Sequence, residues 1–581
     1  MTRFVLRDGA MIILALALSG CIRIEREKLE SDAPPLSERP RVSSGRDVRL
    51  VVLLVVDQLR ADYLTRCAAH FAPSGFRRLT GGGAHFVNAY FSHGSTATGP
   101  GHATIITGRL PRQHGIVANE WYLDPDEQDA QPSIADQAVR LVGDTGESAR
   151  RGPSRDRPGV SPRGLIGPAL GDQLKLSDRR SRVFAVAGKD RSAVLLGGRR
   201  PDGAYWWDHT TGGVQTSTYY RDDLPHYLSA FNAERWPERF AAATWDRVLP
   251  AAAYAGCRRD APRDTALAGD WGDAFPYSLP PAGDRWLFSM LDATPFGHEI
   301  VLELARRILV NERLGHGPAP DLLCVGLSSF DVAGHLFGPE SEQMLDFVVR
   351  TDAQIAAFLD LLNRLVGLER CLVALTADHG VTTAPLAAQR GGLDAGRIDL
   401  RALWQDLNAD LRRRFGSLAE GRDHVAGIVL PWVYFDPALA ALDESARAAR
   451  ADAAAAFLRT RPGVADVFTA RELTGPMPPP GDRPRWLAWR AFHPRRSGGI
   501  YIQLDPYWYK TGRQPVGHTA GSSHDRHVPI VLFGPGVRAG TCFAPADPLD
   551  IAPTLAALLG IEPPIDADGR VLHEALETAH R

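Results

Sequence analysis

VRLVVLLVVD (48–57) carries seven consecutive aliphatic residues, Leu50 to Val56, and ends on an aspartate. A run so short and so apolar has no face for water. It predicts a strand covered on both sides, as in the middle of a parallel sheet. Four further runs have the same character: RVFAVAG (182–188) before Lys189, DLLCVGLSS (321–329) before Asp331, CLVALTAD (371–378) ending at Asp378, and HVPIVLFG (527–534). Helical patterns lie between them, in EIVLELARRILVNERL (299–314) and SEQMLDFVVRTDAQIAAFLDLLNRLVG (341–367). Strands alternating with helices predict an α/β fold with a mostly parallel central sheet flanked by helices. The reactive side chains fall just past strand ends, where such sheets place their sites.

The chain has 581 residues and a formal net charge of −2. That length suffices for one large core with an inserted subdomain. The near-neutral balance gives no sign of a nucleic-acid partner. Residues 124–163 are polar, with repeated Pro, Asp and Arg, and predict a surface insertion. Residues 386–512 separate His379 from His518 and mix helical stretches, DLRALWQDLNADLRRRF (399–415) and ARAARADAAAAFLRTRP (446–462), with strand-like ones. They predict a smaller α/β subdomain inserted between the first part of the main domain, 49–385, and its C-terminal part, 513–581.

The N-terminus reads differently. MTRFVLRDGAMIILALALSGC (1–21) has two Arg and then an apolar run of signal-peptide length, too short to span a bilayer. Its LSGC (18–21) resembles the lipobox of bacterial lipoproteins. The expectation is a leader over 1–20, a lipidated Cys21, a tether over 21–48, and a periplasmic protein held to the membrane by its acyl chains. The remaining cysteines, Cys67, Cys257, Cys324, Cys371 and Cys542, are odd in number. Cys324 and Cys371 sit in strand-like runs and read as buried free thiols. No CxxC occurs, which argues against a thiolate zinc site.

Three Asp and three His carry the candidate metal chemistry: Asp57, Asp331, His335, Asp378, His379 and His518. Divalent metals accept carboxylate oxygen and imidazole nitrogen. In DVAGH, Asp331 and His335 are four apart and share one face of a helical turn. In TADHG, Asp378 and His379 are adjacent at a strand end. Each piece is weak by itself, and an isolated DH pair is more often a loop or a cap. TATGPGHATIITG (96–108) places Thr98 at a helix N-terminus, where backbone N–H groups favour an anion. Two metals beside a positioned hydroxyl form a constellation for hydrolysing phosphate or sulfate esters.

Taken in order, VVDQLRADYL, TATGPGHATIITGRLPRQHGIVANEWY, AGKDR, DVAGHLFGPES, TADHG and GHTAGSSHDRHVPIVLFGPG resemble the alkaline phosphatase superfamily. The nearest branch is that of the bacterial phosphate-irrepressible alkaline phosphatases with a Thr nucleophile, related to nucleotide pyrophosphatase/phosphodiesterases. The resemblance implies two Zn²⁺ per chain. Asp57, Asp378, His379 and Thr98 would bind one, and Asp331, His335 and His518 the other. It makes Thr98 the nucleophile. Asn119, Lys189 and Arg191 would contact the phosphoryl oxygens. His518, nine residues before HVPIVLFG, is preferred to His524 and His527. The implied activity is hydrolysis of small-molecule phosphate monoesters by a monomer. Rival expectations are a phosphodiesterase of the same superfamily, a sulfatase, for which the C/S-x-P-S-R string is missing around Thr98, and a catalytically dead binding lipoprotein.

Overall fold

The computed structural model describes residues 48–122, 130–143, 158–258, 274–418, 421–512, 514–519 and 521–577. The leader, Cys21 and nearly all of the tether lie outside the described residues. No described helix is long and apolar enough to cross a membrane.

The ten strands of the main sheet are β1 (Leu50–Val56), β2 (Ala84–Phe86), β3 (Leu141–Val142), β4 (Val183–Ala187), β5 (Gly203–Trp207), β6 (Val214–Ser217), β7 (Asp321–Leu327) and β8 (Cys371–Thr376), joined near the C-terminus by two more. The inserted segment contributes β9 (Gly396–Ile398), β10 (Val425–Val429), β11 (Trp432–Phe435), β12 (Val464–Thr469), β13 (Ile500–Leu504) and β14 (Trp508–Lys510). The chain then returns with β15 (Ile530–Phe533) and β16 (Gly540–Cys542). The order across the main sheet is β16-β2-β15-β8-β1-β7-β4-β5-β6-β3. Strands β8, β1, β7, β4 and β5 run parallel, and antiparallel strands flank them. The aliphatic run Leu50–Val56 is thus the central strand. Every residue of β1 is buried, because helices cover both faces of a parallel sheet.

The helices that matter here are α1 (Thr98–Thr107), α2 (Asp190–Gly197), α3 (Pro295–Asn311), α4 (Ser329–Phe337), α5 (Glu342–Leu365), α6 (Leu400–Phe415), α7 (Glu444–Arg459) and α8 (Ile551–Leu559). Between β8 and β15, strands β10, β11, β13 and β12 form a separate antiparallel sheet with α6 and α7 packed against it. This unit is bonded to the main one at several points. Trp432 and Tyr501 share a core cluster with Ile116, Val117 and Trp206, and Trp432 Nε1 donates to Val117 O at 3.2 Å.

The segment 124–163 differs from its expectation in its described parts. Ile134 and Val160 are buried in that same cluster, and Leu141 lies in β3 at the edge of the main sheet. The apolar residues come singly or in pairs among polar ones, so no clear period marks them, yet Ile134 and Val160 find places in the core. Cys324 and Cys371 are fully buried, and the five cysteines among the described residues are free thiols.

Helix α1 is buried over its whole length and is gripped from one side by two histidines. The Ile116 N–H donates to His114 Nδ1 at 3.1 Å, so His114 carries its proton on Nε2. That proton goes to Thr104 Oγ1 at 3.1 Å, and Thr104 in turn donates to His93 Nε2 at 3.1 Å. Burial holds both rings neutral: it pushes His93 down to about 3 and His114 well below the usual range. The unfolded chain takes up protons on these rings below about pH 6.5 and the folded chain does not. Stability contributed by the neutral rings is therefore level above pH 6.5 and lost as the pH falls. Two such groups cost about 2–3 kcal/mol per pH unit. Thermal melts in chelator, at pH 7, 6 and 5, are expected to show a falling midpoint. A flat profile would show that the rings are not held neutral.

Candidate active site

Four neighbouring strands present the site at one edge. Asp57 follows β1, Asp331 lies in the first turn of α4 after β7, Asp378 follows β8, and Lys189 follows β4. Sequence separations of up to 321 residues, from Asp57 to Asp378, are closed by the β8-β1-β7-β4 ladder alone. Two glycines permit the close approach. A Cβ on Gly101 would collide with the Asp378 backbone, so only glycine lets α1 lie on that turn. A Cβ on Gly334 would strike Gln58, whose amide reaches across α4 to donate to Asp331 Oδ1 at 2.6 Å.

Thr98 is the first residue of α1 and is 1 % exposed. The preceding Ala97 offers no side-chain cap, so the helix N-terminus keeps its positive end for another anion. Asn119 Oδ1 accepts the Gly99 N–H at 2.7 Å, which fixes the side chain and leaves its amide N–H₂ to donate elsewhere. Thr98, Asn119, Lys189, Arg191, Asp331, His335 and His518 all line one cavity of about 930 Å³. Asp57, Asp378 and His379 lie beneath, each at most 1 % exposed.

Two groups of side chains are built to hold cations. In each of Asp331–His335–His518 and Asp57–His102–Asp378, the ligating atoms lie within 4.8 Å of one another. The histidines share one arrangement. His335 Nδ1 meets Val516 O at 2.8 Å, His518 Nδ1 meets Thr96 O at 2.6 Å, and His379 Nδ1 meets Gly380 O at 2.9 Å. A carbonyl only accepts, so each Nδ1 carries the proton and each Nε2 keeps a lone pair, the orienting contact that metal-bound imidazoles use. Asp57 Oδ1, Asp378 Oδ2, His102 Nε2 and His379 Nε2 are buried and hold no hydrogen bond. The residues present thus fit two divalent ions.

The electrostatics agree. Burial raises Asp378, and the nearby Asp57 carboxylate raises it further. Burial also acts to raise Asp57 and Asp331. For Asp57 the Lys189 ammonium and His102 together outweigh it, and for Asp331 His335 and Lys189 do, so both lie below the carboxylate range. Lys189 sits between the two groups, 3.1 Å from Asp57 and 2.6 Å from Asp331. Burial opposes its charge, but these two carboxylates push it up to about 12. One ammonium among three buried carboxylates leaves negative charge that calls for more cations. Arg191 lines the cavity with a buried Nε that holds no hydrogen bond.

The structure brings every sequence-predicted site residue to this region. Sequence reading missed His102. It lies one helical turn after Thr98, with Nδ1 2.9 Å from Thr98 O and Nε2 3.4 Å from Asp57 Oδ1. The i, i+4 spacing from Thr98 was the available signal. His379 stands at the same group, with Nε2 3.4 Å from Asp378 Oδ2, and its ring stacks on His518 at 3.6 Å. His524 and His527 are engaged away from these groups, His524 against Tyr507 and His527 against Tyr90.

A parallel sheet with acidic and imidazole ligands gathered at its strand ends, beside a helix-borne Thr, places the protein in the alkaline phosphatase superfamily. Residues 51–403 match the model of the type I phosphodiesterase/nucleotide pyrophosphatase family, and the chain belongs to that family. It is similar to alkaline phosphatase PhoV of Synechococcus elongatus, at 30% identity over 98% of this chain and 99% of that one. It is similar also to alkaline phosphatase PafA of Elizabethkingia meningoseptica, at 31% identity over 91% and 94% of the two chains. The crystal structure of wild-type PafA superposes with a TM-score of 0.80 at 30% identity, covering 93% of this chain and all of that one.

Proposed function

We propose that the protein is a two-zinc phosphomonoesterase that acts through a phosphorylated Thr98. Its relatives named alkaline phosphatases align over nearly the full length of the chain, which supports the reaction class. The observation that carries the choice of monoester is the pair Lys189 and Arg191 in the cavity beside Thr98. A monoester presents two negative charges and a diester one, so two fixed cations favour the monoester.

Asp57, Asp378 and His379, with Thr98, would hold one ion, and Asp331, His335 and His518 the other. Bound there, the ions supply Lewis acidity to the attacking and leaving oxygens and offset the three carboxylates. Thr98 Oγ, oriented by the α1 N-terminus, gives its proton to solvent and attacks phosphorus as the alkoxide. The Thr98 Oγ–P bond forms, the P–O bond to the alcohol breaks, and the alcohol leaves with a proton from solvent. Water, losing a proton to solvent, then attacks phosphorus of the phosphorylated Thr98, the P–O bond to Thr98 Oγ breaks, Oγ regains a proton from solvent, and inorganic phosphate leaves. Asn119 donates its amide to one phosphoryl oxygen while Lys189 and Arg191 meet the others. The LSGC motif supports an exported, membrane-anchored lipoprotein, lipidated at Cys21.

The test compares kcat/KM for an aryl phosphate and its methyl diester in wild type and in Lys189→Ala, Arg191→Ala. Charge-assisted hydrogen bonds are worth about 1.5–3 kcal/mol each, so the double variant should lose about a hundredfold or more on the monoester. The loss on the diester should be far smaller. Equal losses would make the two residues structural and favour a phosphodiesterase.

A further inference from the structure

The cavity volume of about 930 Å³ is that of a site for a whole organic ligand rather than for a phosphoryl group alone. One part of the wall away from Thr98 comes from the inserted segment. Leu400 at the start of α6, Ile428 and Val429 at the end of β10, Leu430 in the turn after it, and Tyr509 of β14 all line it, with Lys510 of β14 as the charged residue among them. Leu400, Ile428 and Val429 are only partly buried, so their aliphatic surface faces the open cavity. Across from them, Val332, Leu336 and Phe337 of α4 line the same space next to Asp331 and His335.

The wall is fixed relative to the reacting groups. A Cβ on Gly517 would collide with the Tyr509 ring, so the ring lies against the residue before His518. A Cβ on Gly427 would collide with the Tyr122 ring, three residues past Asn119. The Tyr501 hydroxyl donates to Gly94 O at 3.3 Å, on the segment that leads into α1. Burial, and then the Asp331 carboxylate, raises the Tyr509 phenol, which places it on the Asp331 side of the cavity.

We propose that the inserted segment supplies the leaving-group subsite, and that this subsite selects phosphate monoesters of apolar alcohols over those of polar ones. The inference rests on the phosphomonoesterase reading of the same cavity. The chemistry at phosphorus is common to all monoesters, so discrimination falls to the alcohol. An aliphatic surface on both sides of the Asp331–His335–His518 group gains from each methylene removed from water, and that gain is lost wherever an oxygen replaces a methylene.

The experiment compares kcat/KM for heptyl phosphate and for 2-(2-methoxyethoxy)ethyl phosphate, a chain of equal length in which two methylenes are oxygens. The heptyl ester should be preferred about tenfold or more. The ether-bearing alcohol is the better leaving group, so electronic effects act against this result. Val429→Thr replaces a methyl by a hydroxyl at constant shape and should cut the preference at least about threefold. Ile428→Val, one methylene shorter, should cut it in the same direction if Val429→Thr does not fold. A wild-type ratio near or below one overturns the proposal, as does a ratio that neither variant changes. Turnover of an aryl phosphate but of neither alkyl ester overturns it too. Failure to hydrolyse any monoester would instead defeat the phosphomonoesterase reading beneath it.

Discussion

Thr98→Ala is expected to lower kcat/KM for an aryl phosphate by at least about a thousandfold, because loss of a covalent nucleophile leaves only the positioning and charge of the remaining site. The change deletes a hydroxyl and a methyl from a residue that is 1 % exposed at the first position of α1. The helix keeps its contact with Asp378 through Gly101, and its grip by His93 and His114, so the fold should hold. Circular dichroism should be unchanged. Rapid quenching with radiolabelled phosphate ester should label Thr98 in the wild type and nothing in the variant. Thr98→Ser keeps the hydroxyl and should retain measurable turnover with a labelled Ser. Near wild-type rates in Thr98→Ala would mean that water attacks phosphorus directly.

Removal of metal should have an effect as large on activity and a second one on stability. Stripping with a chelator is expected to abolish turnover, and about two equivalents of Zn²⁺ should restore it. The stability effect follows from the buried charges. Asp57, Asp331 and Asp378 are at most 4 % exposed, and Lys189 is the cation in ion-pair contact with two of them. Without metal, like charges and unsatisfied oxygens remain in the interior, each costing on the order of 1–3 kcal/mol. Site binding energies of roughly 10 kcal/mol per ion for two ions, set against an unfolding entropy near 2 cal/mol/K per residue over 581 residues, correspond to a midpoint lower by about 15–20 °C. Full activity after exhaustive chelation would remove metal from the mechanism. An unshifted melting curve would mean that the carboxylates have other partners.

The central strands were legible because burial on both faces leaves an unbroken aliphatic run, which is rare elsewhere in a chain. Asp57, Asp331 and Asp378 were legible for the same reason, since each ends or follows such a run. His102 was not. A lone histidine one turn into a helix has the same local sequence signal whether it is a core residue or a neighbour of two carboxylates, and only the packing of α1 on the Asp378 turn separates them. The wall formed by Leu400, Ile428, Val429 and Tyr509 was equally hidden. These are ordinary aliphatic and aromatic residues from three distant stretches, and their common cavity follows from how the inserted sheet docks on Val117 and Gly94. Val160 shows the converse, a single apolar residue in polar surroundings that the fold nonetheless buries.

The position of β1 at the middle of the sheet has a consequence for biogenesis. The first strand among the described residues pairs with Asp321–Leu327 on one side and Cys371–Thr376 on the other. During synthesis it emerges long before either partner exists, and it waits as an exposed aliphatic segment with two open edges. Such long-range pairing makes a slow folder, dependent on holding factors until most of the polypeptide has appeared. A nascent chain halted before residue 371 should aggregate. Because His518 arrives later still, metal is captured in whichever compartment folding is completed.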